Sequence, residues 1–337
     1  MANTFNNIQD APGIIAKAAA QTLKDNMVFC STIDQADASD FDGKNGYKAG
    51  DTIQTSIPAR YVPQTTFDIT SSIQDSVEEK ASLTLDTIST VGMEINSFEF
   101  ATDVELKNTI KRFVIPAAES IAQDVEQRFL NKATDATYNS VGTAGSNTFN
   151  VSDVLAGRTK LNQNLAPRSD RSFLLNSASG AAATDARKGL FQSSEQIKEQ
   201  YEMGMIGRAD GFDWYENELI STHANGADVT GVAVNDASVA EGASTLTIDG
   251  ASAAITVGTV FTIAGVNMVH PITKEDTGIL QQFVATTSST TSIGISPSIY
   301  AGSNGLQNVT ALPADNAALV FVGPASTALA QPLQCRS

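Results

Sequence analysis

After Pro12 the apolar residues Ile14, Ile15, Ala18, Leu23 and Val28 recur at loosely helical spacing through GIIAKAAAQTLKDNMVF, with Ala and Lys adding propensity; the pattern predicts a helical N-terminal arm. The following DQADASDFDGKNGYKAGD is polar, and Gly43, Gly46 and Gly50 mark it as an exposed loop. From Asp51 the period changes to two. DTIQTSIPARYV and TTFDITSSI alternate β-branched or aromatic residues with polar ones, and ASLTLDTISTVGMEINSFEF repeats the alternation through Leu83, Leu85, Ile88 and Val91, then Met93, Ile95 and Phe98. Together these segments predict a long two-stranded excursion.

A helical period returns in IPAAESIAQDVEQRFLNKATDATY. Pro116 suits a first turn, and Ala118, Ile121, Ala122, Val125, Phe129 and Ala133 share one face. Glu119, Asp124, Glu126, Arg128 and Lys132 take the remaining positions. A helix from Pro116 to Tyr138 is about 35 Å long, roughly twice the ordinary length, and predicts a structural spine. Beyond GTAGSN, Ser152 is placed to cap a helix through VLAGRTKLNQNL, RSFLLN reads as a short buried strand, and SASGAAATDARKGLF as a further helix. The run EQIKEQYEMGMIGRADGFDWYENELI passes from helical to extended, with Gly204, Gly207 and Gly211 as turns before Phe212 and Trp214.

Composition changes near Asp228. From there to Val322 one basic residue, Lys274, stands against seven acidic ones, and STLTID, TVFTIAG, FVATT, TSIGIS and ALVFV alternate as short strands between Gly, Asn, Asp or Pro. This predicts a second, antiparallel β domain, a barrel or sandwich. The whole chain of 337 residues carries a net charge of -16, so its field repels phosphate backbones and sequence-specific nucleic-acid binding is not expected. Two cysteines at opposite ends, Cys30 and Cys335, form neither a disulfide framework nor a CxxC metal site. Neither a signal peptide nor a membrane-length apolar run is present, and a soluble, cytoplasmic product is expected.

Catalytic patterns are missing as well. His223 and His270 stand 47 positions apart, which excludes a local His zinc motif, and both read as ordinary loop histidines. Cys30 has no identifiable base, and GMIGRADG is spaced GxxGxxxG, neither a dinucleotide fingerprint nor a phosphate loop. Asp40 and Asp42 ahead of Gly43 align with a calcium loop, but Ala38 and Ala49 occupy its first and last ligand positions. Adjacent acids such as Glu78 and Glu79 carry no weight among 37 carboxylates. No catalytic, cofactor-binding or metal residues are assigned, and the chain is not expected to be an enzyme.

Several segments carry a resemblance. KRFVIPAAESIAQDVEQRFL resembles the spine helix of the coat protein family of short-tailed Salmonella phages, and VLAGRTKLNQNLAPRSDRSFLLNSA its following helix and strand. QYEMGMIGRADGFDWYENELISTHANG is similar to the segment that enters that family's insertion domain; LTIDGASAAITVGTVFTIAGVNMVH and NVTALPADNAALVFV are similar to its barrel strands. The resemblance implies an α+β, HK97-like capsid fold with an inserted antiparallel β-barrel. It divides the chain into an N-terminal arm and acidic loop (1–50), an extended β loop (51–98), a peripheral domain with the spine helix (99–145), an axial domain (146–227), the inserted barrel (228–322) and a short C-terminal tail (323–337), expected to be truncated.

The implied function is that of a major capsid protein. Hexamers and pentamers of the chain would assemble in the bacterial host cytoplasm into an icosahedral procapsid around a scaffolding protein, with a portal protein as a further partner. The shell would enclose DNA held only non-specifically and would involve no membrane. A basic scaffolding segment would suit the acidic arm and loop. One departure is the stretch from Asp228 to Ser244, where the charged loop that the family uses across two-fold contacts is expected to be reduced. The alternative reading is a β-rich decoration or adhesin-type protein that binds through residues 228–322.

Overall fold

The computed structural model describes residues 11–33, 52–57, 61–63, 65–67, 70, 73, 79–84, 87–92, 110–142, 150–169, 171–187, 207–220, 222–226, 230–302, 305–324 and 334–336. The chain divides into two compact units, Met1–Ile53 with Ser82–Leu130, and Gln54–Ala81 with Asn131–Ser337. The acidic loop of residues 34–50, including the calcium-like spacing, lies outside the described residues, as does Gly204.

In the first unit the predicted arm forms α1 (Ala11–Asn26) and α2 (Val28–Thr32). A π-helical turn, Ile110–Val114, precedes the long helix α3 (Ile115–Ala136), whose 22 residues span about 33 Å; it belongs to this unit as far as Leu130, and its remaining residues, from Asn131, belong to the second. Ile110 and Val114 are buried against Ile15, Ala18 and Ala19 of α1. Apolar spacing alone does not separate a π turn from an α turn, so this turn was not foreseen.

The face of α3 differs from the expected one. Ala118, Ala122, Glu126 and Leu130, four apart, are the buried positions, whereas Phe129 is 50% exposed and Val125 is only partly covered. A carboxylate joins the buried stripe because the backbone N–H of Phe29 donates to Glu126 Oε1 at 3.0 Å, supplying a partner inside the protein.

Between arm and spine, β1 (Thr52–Ile57) and β2 (Glu79–Thr84) form a two-stranded sheet. The described residues of TTFDITSSI, in contrast to the expected alternation, form no strand. Pro63 stands before it, and proline brings no amide donor to a ladder.

The second unit holds two cores. In the first, α4 (Val151–Gln163) and α5 (Ser177–Arg187) accompany a four-stranded sheet of order β12-β3-β5-β4, built from β3 (Ser172–Leu175), β4 (Arg208–Ala209), β5 (Phe212–Glu216) and β12 (Gln334–Arg336). Strand β3 pairs parallel with β5, as a helical crossover demands, and antiparallel with β12. Val154, Phe173, Leu175, Ala183, Phe212 and Trp214 fill its core, with the Phe173 and Trp214 rings 4.5 Å apart. Ser152 does not cap α4. Asn150 is its N-cap, without a side-chain bond, and Asp153 provides the negative charge that the first turn favours.

The other core is a nearly closed antiparallel barrel of order β11-β8-β9-β10-β7-β6. Its strands are β6 (Ala233–Val234), β7 (Ala243–Asp249), β8 (Val260–Val269), β9 (Asp276–Ala285), β10 (Ser292–Ile299) and β11 (Leu319–Phe321). Each predicted strand segment has a counterpart here. Alternation puts Leu246 and Ile248, Phe261 and Ile263, and Leu319 and Phe321 inside, while Val320 faces outward. Residues Ala233 and Ala318 bridge, and Val234 N–H donates to Ala317 O at 2.9 Å, so the two edges of the sheet meet. The register of β10 against β7 breaks between Gly294 and Ile299, the interval that contains Pro297.

Candidate functional site

The side chains with unusual environments gather at two places, each within one unit. At the root of the barrel, residues 222–226 are stitched into its base. Asn225, 3% exposed, donates through Nδ2 to Val322 O at 2.9 Å and Gly323 O at 3.2 Å, where the chain leaves β11. Gly226 fits closely: a Cβ there would lie 2.9 Å from Thr256 Oγ1 and 3.0 Å from Ala254 O. His223 Nε2 is 3.3 Å from the buried Thr259 Oγ1, just before β8.

The last turn of α3 meets the same base. At Gly258, where φ is +86°, a Cβ would lie 2.7 Å from Asp135 Oδ1 and 3.1 Å from both Cε1 and Nδ1 of His223. Glycine is required there by backbone conformation and by space. Burial draws the His223 pKa below its ordinary value, against the opposing pull of the Asp135 charge and of the Asn225 side chain.

A second clamp lies on β9. Gln282 Oε1 accepts Ser140 N–H at 3.0 Å and Lys160 Nζ at 2.7 Å, while its Nε2 donates to Ser140 O at 3.0 Å. One amide side chain thus pairs with the backbone after α3 and with the ammonium of α4. Burial lowers the Lys160 pKa.

The other place is where α2 meets α3. Glu126 accepts the Phe29 amide near the N-terminal end of α2, the end whose partial positive charge favours a carboxylate. Burial first, and then the Glu126 charge, push the Cys30 thiol up to about 11, far from a nucleophilic thiolate. Nearby, Asp124 accepts from Ser89 Oγ and from Arg128 Nε at 3.1 Å, and both bonds hold its carboxyl below the usual range.

None of these sets is a catalytic constellation. Among the described residues no group of three or more His, Cys, Asp or Glu could hold a metal ion, and no helix is long and apolar enough to cross a membrane. His270 closes its own turn, its Nδ1 accepting the amides of Ile272 and Thr273. Gly207 and Gly211 are turn residues with φ of +68° and +87°. Sequence reading had weighed His223 singly and passed over Asn225, Gln282 and Lys160. Their partners are 36 to 142 positions distant.

A more conspicuous feature is exposed apolar surface. Phe67 is 107% exposed, Ile73 78% and Ile88 69%, all between β1 and α3.

The family model described as P22 coat protein, gene protein 5, matches residues 1–330. The chain belongs to the P22 coat protein family. It is a major capsid protein, a structural subunit of a phage shell. No curated protein sequence matches the chain. Among solved structures it is similar to the CUS-3 coat protein I-domain, with 32% identity over 28% of this chain and 96% of that one and a TM-score of 0.24. A protein of Mycobacterium phage Che8 overlaps 80% of this chain and 86% of its own, at 11% identity and a TM-score of 0.39. Both overlaps are loose, and membership of the P22 coat protein family stands on the sequence match.

Proposed function

We propose that the chain is an HK97-like shell subunit whose extended segment, residues 51–98, is covered by a neighbouring copy. The supporting observation is the exposure of Phe67, with Ile73 and Ile88, in a stretch whose described pairing is confined to the six-residue strands β1 and β2. A two-stranded ribbon is marginal on its own, and burying one Phe contributes about 1.5–3 kcal/mol, so a neighbour supplies what the isolated segment lacks.

On this reading residues 1–50 are the arm and acidic loop, 99–145 the peripheral domain, 146–227 the axial domain, 228–322 the insertion and 323–337 the tail. Hexamers and pentamers close an icosahedral shell in the host cytoplasm, around a scaffolding protein and with a portal protein, without catalysing a reaction. DNA is enclosed and held only non-specifically, consistent with the net charge of -16.

Sedimentation and electron microscopy of the purified chain, alone and mixed with the scaffolding protein, test this. Shells of regular curvature are expected from the unaltered chain, and Phe67→Ser is expected to keep its circular dichroism and melting curve yet fail to assemble. A chain that remains monomeric in both mixtures, or a Phe67→Ser variant that assembles as well as the parent, overturns the reading.

A further inference from the structure

The root of the barrel holds the dipeptide Asn225–Gly226, and its surroundings dictate each residue separately. Asn225, 3% exposed, aims Nδ2 at the chain leaving β11, donating to Val322 O at 2.9 Å, Gly323 O at 3.2 Å and Pro324 O at 3.5 Å. Gly226 faces Ala254 O and Thr256 Oγ1, which a Cβ would approach to 3.0 Å and 2.9 Å. That wall is held in place, because Ile255 N–H donates to Ser289 O and Thr259 N–H to Thr256 O, each at 3.2 Å. Packing therefore selects, side by side, a chemically fragile pair: asparagine is a thermolabile residue, and a glycine after it leaves the next amide nitrogen unshielded and its backbone free to turn.

We infer that Asn225 is a latent site of self-modification, guarded while the barrel root is closed and converted to an aspartyl or isoaspartyl residue once the root opens. In the opened chain the Gly226 amide nitrogen attacks Asn225 Cγ: an N–C bond forms, the Cγ–Nδ2 bond breaks, and ammonia leaves with the amide proton. Water then opens the resulting five-membered succinimide at either carbonyl. Three features of the closed root oppose the attack. Backbone carbonyls hold Nδ2, so the side chain does not turn toward Gly226. Oδ1 is buried and, among the described residues, takes no hydrogen bond, so charge developing on it has no donor. Gly226 has no room to move toward its wall. Once formed, a carboxylate would face the carbonyl oxygens of residues 322–324 where a donor had stood, and an isoaspartyl link would lengthen the main chain where there is no space. Opening of the root is thus recorded covalently, and the converted chain does not reclose.

The test incubates the full chain in mildly alkaline buffer, folded and in urea, and follows peptides containing Asn225 by mass spectrometry, with isoaspartate detected by an isoaspartyl methyltransferase. Asn45–Gly46 and Asn304–Gly305 of the same chain are internal standards for the chemistry in urea. There Asn225 is expected to convert at their pace; in the folded chain it is expected to convert at least about tenfold more slowly, the factor that about 1.4 kcal/mol of opening energy gives. A chain aged in urea to partial conversion and then refolded is expected to carry intact Asn225 in the folded fraction and the converted residue in the rejected one. Asn225→Asp, which needs no ageing, is expected to melt below the parent. Equal conversion in folded and unfolded chain, no conversion in urea, equal conversion in the refolded and rejected fractions, or an unchanged melting curve in Asn225→Asp overturns the inference.

Discussion

At the scale of single residues, the polar groups that organise this fold are buried and bonded to main-chain atoms. Arg171, 3% exposed, donates from Nε to Pro167 O at 2.7 Å and from Nη2 to Ala166 O at 2.9 Å and Asn162 Oδ1 at 3.0 Å. It closes the turn that ends α4, where unpaired carbonyls and the helix dipole both favour a cation. Arg171→Met keeps much of the packing and removes the donors. Because hydrogen bonds to charged groups contribute roughly 1.5–3 kcal/mol each, whereas Pro167 is exposed and its carbonyl can turn to water, a loss of about 2 kcal/mol is expected in urea unfolding. An unchanged midpoint would mean that the site is solvated and the guanidinium dispensable.

At the scale of elements, what was legible in the sequence is what periodicity encodes. The barrel strands were readable because inward Phe261, Ile263, Leu319 and Phe321 alternate with outward neighbours, a pattern that survives any register. The limits of α3 were readable too, within two residues at its C-terminal end. Its buried face was not, because hydropathy places Glu126 outside and Phe129 inside, whereas a donor 97 positions away draws the carboxylate in. The barrel root was hidden for the same reason, since the bonds of His223 to Thr259 and of Asn225 to Val322 span 36 and 97 positions.

The docking of α2 on α3 yields a prediction at this scale. Removing the acceptor in Glu126→Ala leaves the Phe29 amide unpaired and takes away the charge that helps to raise the Cys30 thiol. Alkylation at Cys30, followed by mass spectrometry at pH 8, is expected to accelerate as the thiol moves down, while burial, the larger cause, still holds it above its ordinary value. Glu126→Gln, which keeps an acceptor oxygen, is expected to accelerate it less. Equal rates in parent and Glu126→Ala would show that α2 is held by packing alone.

At the scale of the whole molecule, charge separates two kinds of partner. With 37 acidic and 21 basic residues the subunit repels DNA at long range. On the proposed reading the same field would attract a basic scaffolding segment, and attraction between exposed charges depends on screening. Raising the salt from about 0.01 M to about 0.15 M shortens the screening length from about 30 Å to about 8 Å. Scaffold-dependent shell formation, followed by light scattering, is therefore expected to slow over that range. The proposed contacts between coat subunits through Phe67, Ile73 and Ile88 would be apolar and are expected to hold, so that finished shells sediment unchanged. If early assembly were indifferent to salt while finished shells fell apart, the roles would be reversed: subunits would be joined by charge and the scaffold by apolar contact.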